Sequence, residues 1–368
     1  MGREKIVGPY FLRAAALWEK IERWCDDPRR SGTAGGAIKA SLLPGRIFDL
    51  RAFGDRRQHH AAFQAVYAFY AGQRQLPAEA DVHHHAGLFG GVQVYDFLTS
   101  TRWLAPRFPY SPGRVRHVML AHGTAKIFVM KIETGQVYYR QSGHEEVATP
   151  NVVGASHFGN SSVLRWFEEH ARRLHRDFYS TGTLASGDGL EYDALLNYPA
   201  ISDATHCSRT VTRGVEVVAS AVLCLEIKMF VYSIRMRLLS LSDGEGYATP
   251  EERGFDTCQL VSRRWRISKS SPDSNETVVE QVRGDGVIGY YPLLHEGQYE
   301  SHYGQDPGST QLEGQGTGYF SYQSCTQPVP GALEGHLQFV PGSLAAPCGE
   351  RFDVRVNPFP LKFPDYLY

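Results

Sequence analysis

The stretch Cys258–Pro292, CQLVSRRWRISKSSPDSNETVVEQVRGDGVIGYYP, decides the fold. It opens on an apolar entry and runs into a basic–aromatic segment, Arg263-Arg264-Trp265-Arg266-Ile267. A polar turn follows, then Val278 to Val282, then the run Gly284-Asp285-Gly286-Val287-Ile288-Gly289. Side chains alternate across a strand, so Arg263 and Arg264 cannot both share the face of Trp265, which reads as a large inward residue. The glycine run fits G-x-G-x-x-G, a pattern that cradles a pyrophosphate where a strand feeds a helix N-terminus. A strand before it is expected. After it come Tyr290-Tyr291-Pro292-Leu293-Leu294-His295-Glu296-Gly297, with a proline, a glycine and no helical period. The glycines therefore read as turn residues.

Working outward, 368 residues suffice for two domains with separate cores. A formal net charge of -1 argues against a general nucleic-acid or anionic-membrane binder and leaves room for a local patch. The longest apolar stretch, Val215 to Val231, is interrupted by Glu216, Glu226 and Lys228, so no membrane span is expected. The N-terminus MGREKIVGPYF lacks the apolar core of a secretory signal. Cys25, Cys207, Cys224, Cys258, Cys325 and Cys348 are irregularly spaced with no C-x-x-C, which suits reduced thiols in the cytoplasm or nucleus.

Along the chain, Tyr10 to Asp26 reads as a helix with Leu17, Ile21 and Trp24 on one face. A glycine-rich connection leads to Leu43-Pro44, and Asp55 to Ala71 reads as a second helix ending at Gly72. A β-meander is expected over Val115–Ala121, Lys126–Ile132 and Gln136–Arg140. Val163 to Tyr179 has the clearest 3.6-residue period, through Val163, Phe167, Ala171, Leu174 and Phe178. Residues 181–207 have weak periodicity and read as a linker. From there the pattern is of strands alone: Val215–Leu225, Phe230–Leu239, Leu260–Ile267, Thr277–Val282, Gly318–Tyr322, Leu333–Val340 and Phe352–Val356. That many short strands with turns between them suit a sandwich.

Little in the sequence points to chemistry. His83-His84-His85 and His59-His60 are consecutive residues without the spacing of a metal site, and no H-E-x-x-H is present. There is no G-x-S-x-G, no P-loop and no evident carboxylate pair. Cys325 reads as a small apolar filler. No catalytic residue, metal or cofactor is expected, and the chain is not expected to be an enzyme.

Five blocks in order, SRRWRIS, VRGDGVIGYYPLL, SYQSCT, GALEGHLQFV and GERFDVRVNPFPL, resemble the ApaG domain over residues 208–368. The resemblance implies an all-β fold like a fibronectin type III sandwich, with Gly284, Gly286 and Gly289 on that family's G-x-G-x-x-G. Against its pattern, the stretch near 299–317 reads as an insertion, either a disordered excursion or a contact loop, which a loop tolerates at small entropic cost. Tyr70, Gly72, Gln73, Gly87, Leu88, Phe89, Gly90 and Tyr95 resemble the SUKH superfamily, which implies a compact α+β domain over 46–180 used for binding proteins. Together the two resemble the F-box only protein 3-like family, with 1–45 similar to the segment following its F-box. No F-box is recognisable: Leu43-Pro44 lies after the first helix and is followed by one amphipathic segment.

The expectation is thus an α+β SUKH-like domain followed by an ApaG sandwich, a non-enzymatic module that recognises protein substrates in an SCF-type ubiquitin ligase pathway. SCF subunits are expected as partners only where an F-box is supplied from outside this sequence. The candidate surface comprises Arg263, Arg264, Trp265, Gly284, Asp285, Gly286 and Gly289. Two alternatives stay open: a stand-alone ApaG scaffold with no ubiquitin link, and a phosphate- or pyrophosphate-binding protein acting through the glycine run.

Overall fold

The computed structural model describes residues 4–28, 117–122, 127–131, 135–141, 144–150, 162–176, 178–185, 191–199, 205–225, 227–270, 277–302, 311–313 and 318–367, with short pieces at 39, 42–44, 62, 65–66, 70–73 and 93–94. Strands predominate among them. The chain divides into two compact units, residues 1–197 with 364–368, and residues 198–363.

The first unit opens on helix α1, Glu4–Cys25. Its face of Tyr10, Ala14, Leu17, Trp18, Ile21 and Trp24 is buried, at the three- and four-residue spacing of an amphipathic helix. It starts six residues before the expected Tyr10, carrying Pro9 within its first two turns, where a missing N–H removes only one early bond. Short strands β1, Leu42–Pro44, and β2, Tyr70–Gln73, pair antiparallel. Ala62, Ala65 and Val66 are helical and buried, within the second expected helix, most of which lies outside the described residues. That helix does not reach Ala71, because Tyr70–Gln73 is committed to the ladder with β1.

An antiparallel meander follows: β3, Gln93–Val94; β4, His117–His122; β5, Ile127–Lys131; β6, Val137–Gln141; β7, His144–Val147. Helix α2, Ser162–His175, buries Val163, Leu164, Trp166, Phe167, Ala171 and Leu174. Trp166 packs on Phe128 of β5 at 5.1 Å between ring centroids, and Phe167 on Trp18 of α1 at 6.1 Å. Arg13 of α1 grips Glu168 of α2 through two bonds of 2.8 and 2.7 Å. Both are a third exposed, so the pair adds at most about 1 kcal/mol; aromatic burial holds the helices together. The chain's last residues complete this unit: the Leu367 amide donates to the Ala148 carbonyl (3.0 Å), and its carbonyl accepts from Trp166 Nε1 (2.8 Å). Helix α2 stops at His175 rather than Tyr179, which begins β8, Tyr179–Ala185; that strand pairs with β9, Glu191–Pro199. The stretch read as a linker thus carries a two-stranded sheet, which its sparse apolar alternation did not announce.

The second unit is a sandwich of two antiparallel sheets. One has the order β10-β11-β12-β18: Cys207–Thr212, Val215–Cys224, Met229–Leu238 and Phe320–Thr326. The other runs β17-β16-β15-β13-β19-β20: Gln311–Glu313, Gln298–His302, Leu293–His295, Cys258–Ser270, Gly331–Pro341 and Phe352–Leu361. Among the described residues, strand β14, Thr277–Asp285, pairs with β13 alone. Between the sheets lie Val217, Ala219, Phe230, Ile234, Met236, Trp265, Leu333, Leu337, Phe339, Val354 and Val356. Burying one such aliphatic side chain contributes about 1.5–3 kcal/mol.

Strand parity carries two corrections built into the backbone. Cys258 and Leu260 face inward; a register shift between Leu260 and Ser262 then moves the inward positions to Trp265 and Ile267. A shift opposite Leu333–Gly335 likewise changes the inward set of β20 from Val354 and Val356 to Phe359 and Leu361. The stretch read as an insertion is partly ordered: β16 and β17 form an antiparallel ladder, Glu300 opposite Glu313, that extends the larger sheet. With Tyr299 and Leu312 the only apolar residues in QYESH and QLE, the pair has no hydrophobic alternation to give it away.

The ion-pair centre of this unit is Glu216 of β11, 1% exposed. It accepts from Arg209 Nε at 2.5 Å, from Arg237 Nε at 2.7 Å and from the Tyr319 hydroxyl. Burial works to raise its pKa, and the bonds from Tyr319, Arg237 and Arg209 more than offset it, leaving the carboxyl below its ordinary value.

Candidate functional site

The glycine run closes as a turn. Gly284 and Asp285 end β14, and the Gly286 amide donates to the Val261 carbonyl at 2.8 Å. Val287 and Tyr290 then exchange both backbone bonds, each 2.9 Å, around Ile288 (φ 50°) and Gly289 (φ 82°). Two positive φ values in succession make the tight hairpin turn that matches strand twist. Beyond it, the Leu260 amide donates to the Pro292 carbonyl at 3.0 Å, so the chain resumes along the same edge of β13 as β15. No helix follows Gly289. The turn pushes Ile288 outward, 53% exposed.

Arg263 belongs to this turn. Its Nη1 donates to the Gly286 carbonyl at 2.7 Å and to the Asp285 carbonyl at 3.3 Å. A Cβ on Gly284 would come within 3.0 Å of that guanidinium, so the glycine makes room for it. The amides of Gly286, Val287 and Tyr290 all donate to backbone carbonyls. Those three amides are therefore engaged by the protein itself.

Trp265 is 2% exposed in the core, directly opposite Gly335 of β19. A Cβ there would meet the Arg264 carbonyl at 2.0 Å and the indole at 2.6 Å. Trp265 is thus a packing residue and no part of an exposed surface, which corrects its place in the candidate set.

The outer face of the larger sheet is where charge collects. Arg264 stands opposite Arg283 on one side and His336 on the other, and His336 stands opposite Arg355. All four are exposed. They cross four strands, which span about 14 Å at the usual strand spacing. In the next row Arg266 pairs with Glu334 at 2.7 Å. No carboxylate among the described residues pairs with Arg264, Arg283 or Arg355. Over Gly335 these side chains border an open hollow of about 310 Å³. Sequence reading found Arg264 and missed Arg283, His336 and Arg355. They stand in VRGDG, EGHLQ and DVRVN, 72 positions apart at the extremes, and only strand register aligns them.

The F-box protein SKIP16 of Arabidopsis thaliana is 32% identical over 336 residues, spanning 82% of this chain and 69% of that protein. The chain belongs to the family of SKIP16. A family model described as the ApaG domain matches residues 226–323. Protein ApaG of Anaeromyxobacter dehalogenans (strain 2CP-1 / ATCC BAA-258) is 28% identical over 165 residues, 44% of this chain and 98% of its own length. A crystal structure of the ApaA protein from Bordetella pertussis is 22% identical, covering 43% of this chain and 96% of that one, with a TM-score of 0.26.

The matched ApaG span holds Arg263, Arg264, Trp265, Arg283 and the whole glycine run, whereas His336 and Arg355 lie beyond it in β19 and β20. Cys325, on β18, is exposed rather than a buried filler, because it falls at the outward parity between the buried Tyr322 and Thr326 positions. The six cysteines are free thiols, and burial raises that of Cys25 to about 12. Among the described residues no cluster of His, Cys, Asp or Glu could hold a metal ion, and no helix is long and apolar enough to cross a membrane. His59, His60 and His83–His85 lie outside the described residues.

Proposed function

We propose that this chain is a non-enzymatic protein-recognition module that selects substrates in an SCF-type ubiquitin ligase pathway, working in the cytoplasm or nucleus. Kinship with an F-box protein supports the pathway. The first unit, a SUKH-like α+β body over 46–180 in this reading, serves as a second protein-binding element. The observation that carries the proposal is the open edge of β14. Among the described residues that strand pairs on one side only, and it exposes Val278 (61%) and Val279 (41%). An unpaired edge with apolar residues is a template for a partner's strand. The charged groups of the interior support a non-catalytic role: Glu216 is consumed by three donors, and Arg253 by three carbonyls and Glu296.

Affinity capture of the full chain from its native cell, read by mass spectrometry, tests this. Cullin-complex subunits should be recovered together with further proteins that are lost when Val278→Lys and Val279→Lys are combined. Recovery indifferent to the two lysines would remove the β14 edge from the reading. Absence of cullin-complex subunits would favour the second reading, a stand-alone scaffold. That reading draws on the ApaG relative whose own length is 98% covered by part of this chain.

A further inference from the structure

We propose that the hollow over Gly335 receives a phosphorylated serine or threonine from an extended segment of the protein partner, held by Arg264, Arg283 and Arg355. This rests on the protein-recognition reading and names the chemistry of what is recognised. Like charges set directly opposite on a sheet are destabilising, yet Arg283 faces Arg264, and His336 and Arg355 continue the row. Elsewhere in this unit Arg209 and Arg237 are matched to Glu216, Arg253 to Glu296 and Arg266 to Glu334, and Arg213 and Arg263 bond backbone carbonyls. Arg235 and Arg351 also meet no carboxylate among the described residues, but only on the outer row do three such arginines border one hollow. Arg264, Arg283 and Arg355 all line the hollow, with the Gly335 backbone between them.

Three unpaired guanidinium groups exceed what one carboxylate can satisfy. A phosphate monoester carries nearly two negative charges and three acceptor oxygens, and takes forked bonds from more than one arginine at once. A continuous nucleic-acid backbone fits poorly, because Asp285 and Asp353 occupy the adjoining row and would repel successive phosphates. On the opposite side, beyond the Arg266–Glu334 pair, Val279, Ser268 and Ala332 form an uncharged row. That row leaves a flat track for a peptide backbone, where a compact small molecule would find no walls.

Fluorescence anisotropy with the full chain tests the proposal. The probes are labelled peptide mixtures of about nine residues, degenerate except for a central phosphothreonine, threonine or glutamate. The phosphorylated mixture should bind about tenfold or more tighter than either other mixture, the range set by charge-assisted bonds, and more weakly as salt rises. Arg264→Glu and Arg355→Glu should each abolish that preference. Arg264→Gln with Arg355→Gln should do the same if the reversals disturb folding, and Lys228→Glu, in the turn between β11 and β12, should leave it intact. Equal binding of the three mixtures overturns the proposal, as does tighter binding of tripolyphosphate or of a single-stranded oligonucleotide. If partners are captured equally well from phosphatase-treated extract, the phosphate site falls and the recognition reading stands. If the phosphopeptide preference holds but no captured protein depends on this face, the recognition reading falls instead.

Discussion

Gly286 is held to glycine twice over. Its φ of +52° lies in the left-handed region, and a Cβ would stand 2.5 Å from the Tyr290 carbonyl oxygen. Gly286→Ala should therefore lose about 2–3 kcal/mol in urea unfolding. Gly284→Ala meets only the movable Arg263 guanidinium and should lose about 1 kcal/mol or less. The sequence gives no hint of that difference, since both glycines occupy the same motif. At Glu216 the prediction is one of pH. Its folded pKa is depressed, so its contribution is complete above the ordinary carboxylate range and is lost as pH falls through the depressed value. Glu216→Gln should cost about 3 kcal/mol at neutral pH, at the low end for a buried pair because Arg209 and Arg237 keep some contact with water. The gap between wild type and variant in thermal melts should close on acidification.

At the scale of elements, strand β13 shows how far a sequence can be read. The alternation Arg263 to Ile267 placed Trp265 inward and set Arg263 and Arg264 on opposite faces, as found. What could not be read was the bulge at Val261, because a parity change looks like noise in a run of mixed polarity. Strand β10, CSRTVT, went unread for a related reason: its burial pattern is uneven, with Arg209 turned to Glu216. The outer row of cations was legible only one residue at a time. Gly335→Ala is the test of the β13–β19 contact. With Arg264's carbonyl 2.0 Å from the new Cβ, the strands must part, and the melting temperature should drop, by about 4–8 °C for each kcal/mol in a small domain. By contrast, Val278→Lys with Val279→Lys touches exposed side chains and should leave the melt within about 0.5 kcal/mol of wild type.

Across the whole molecule, the division into units does not follow chain order. Residues 364–368 belong to the first unit, where Leu367 is buried and bonded to Ala148 and Trp166. Deleting these five residues should speed hydrogen exchange in α2 and in β6–β7, read by mass spectrometry, while amides in β13 and β19 keep their protection. Unchanged exchange in α2 would show the tail to be dispensable. The same arrangement bears on synthesis. Residues 1–197 leave the ribosome, at about 5–20 residues per second, well before Leu367, so Trp166 meets its carbonyl acceptor only after the strands of the sandwich have been made. Closure of the first body is thereby tied in time to synthesis of the second.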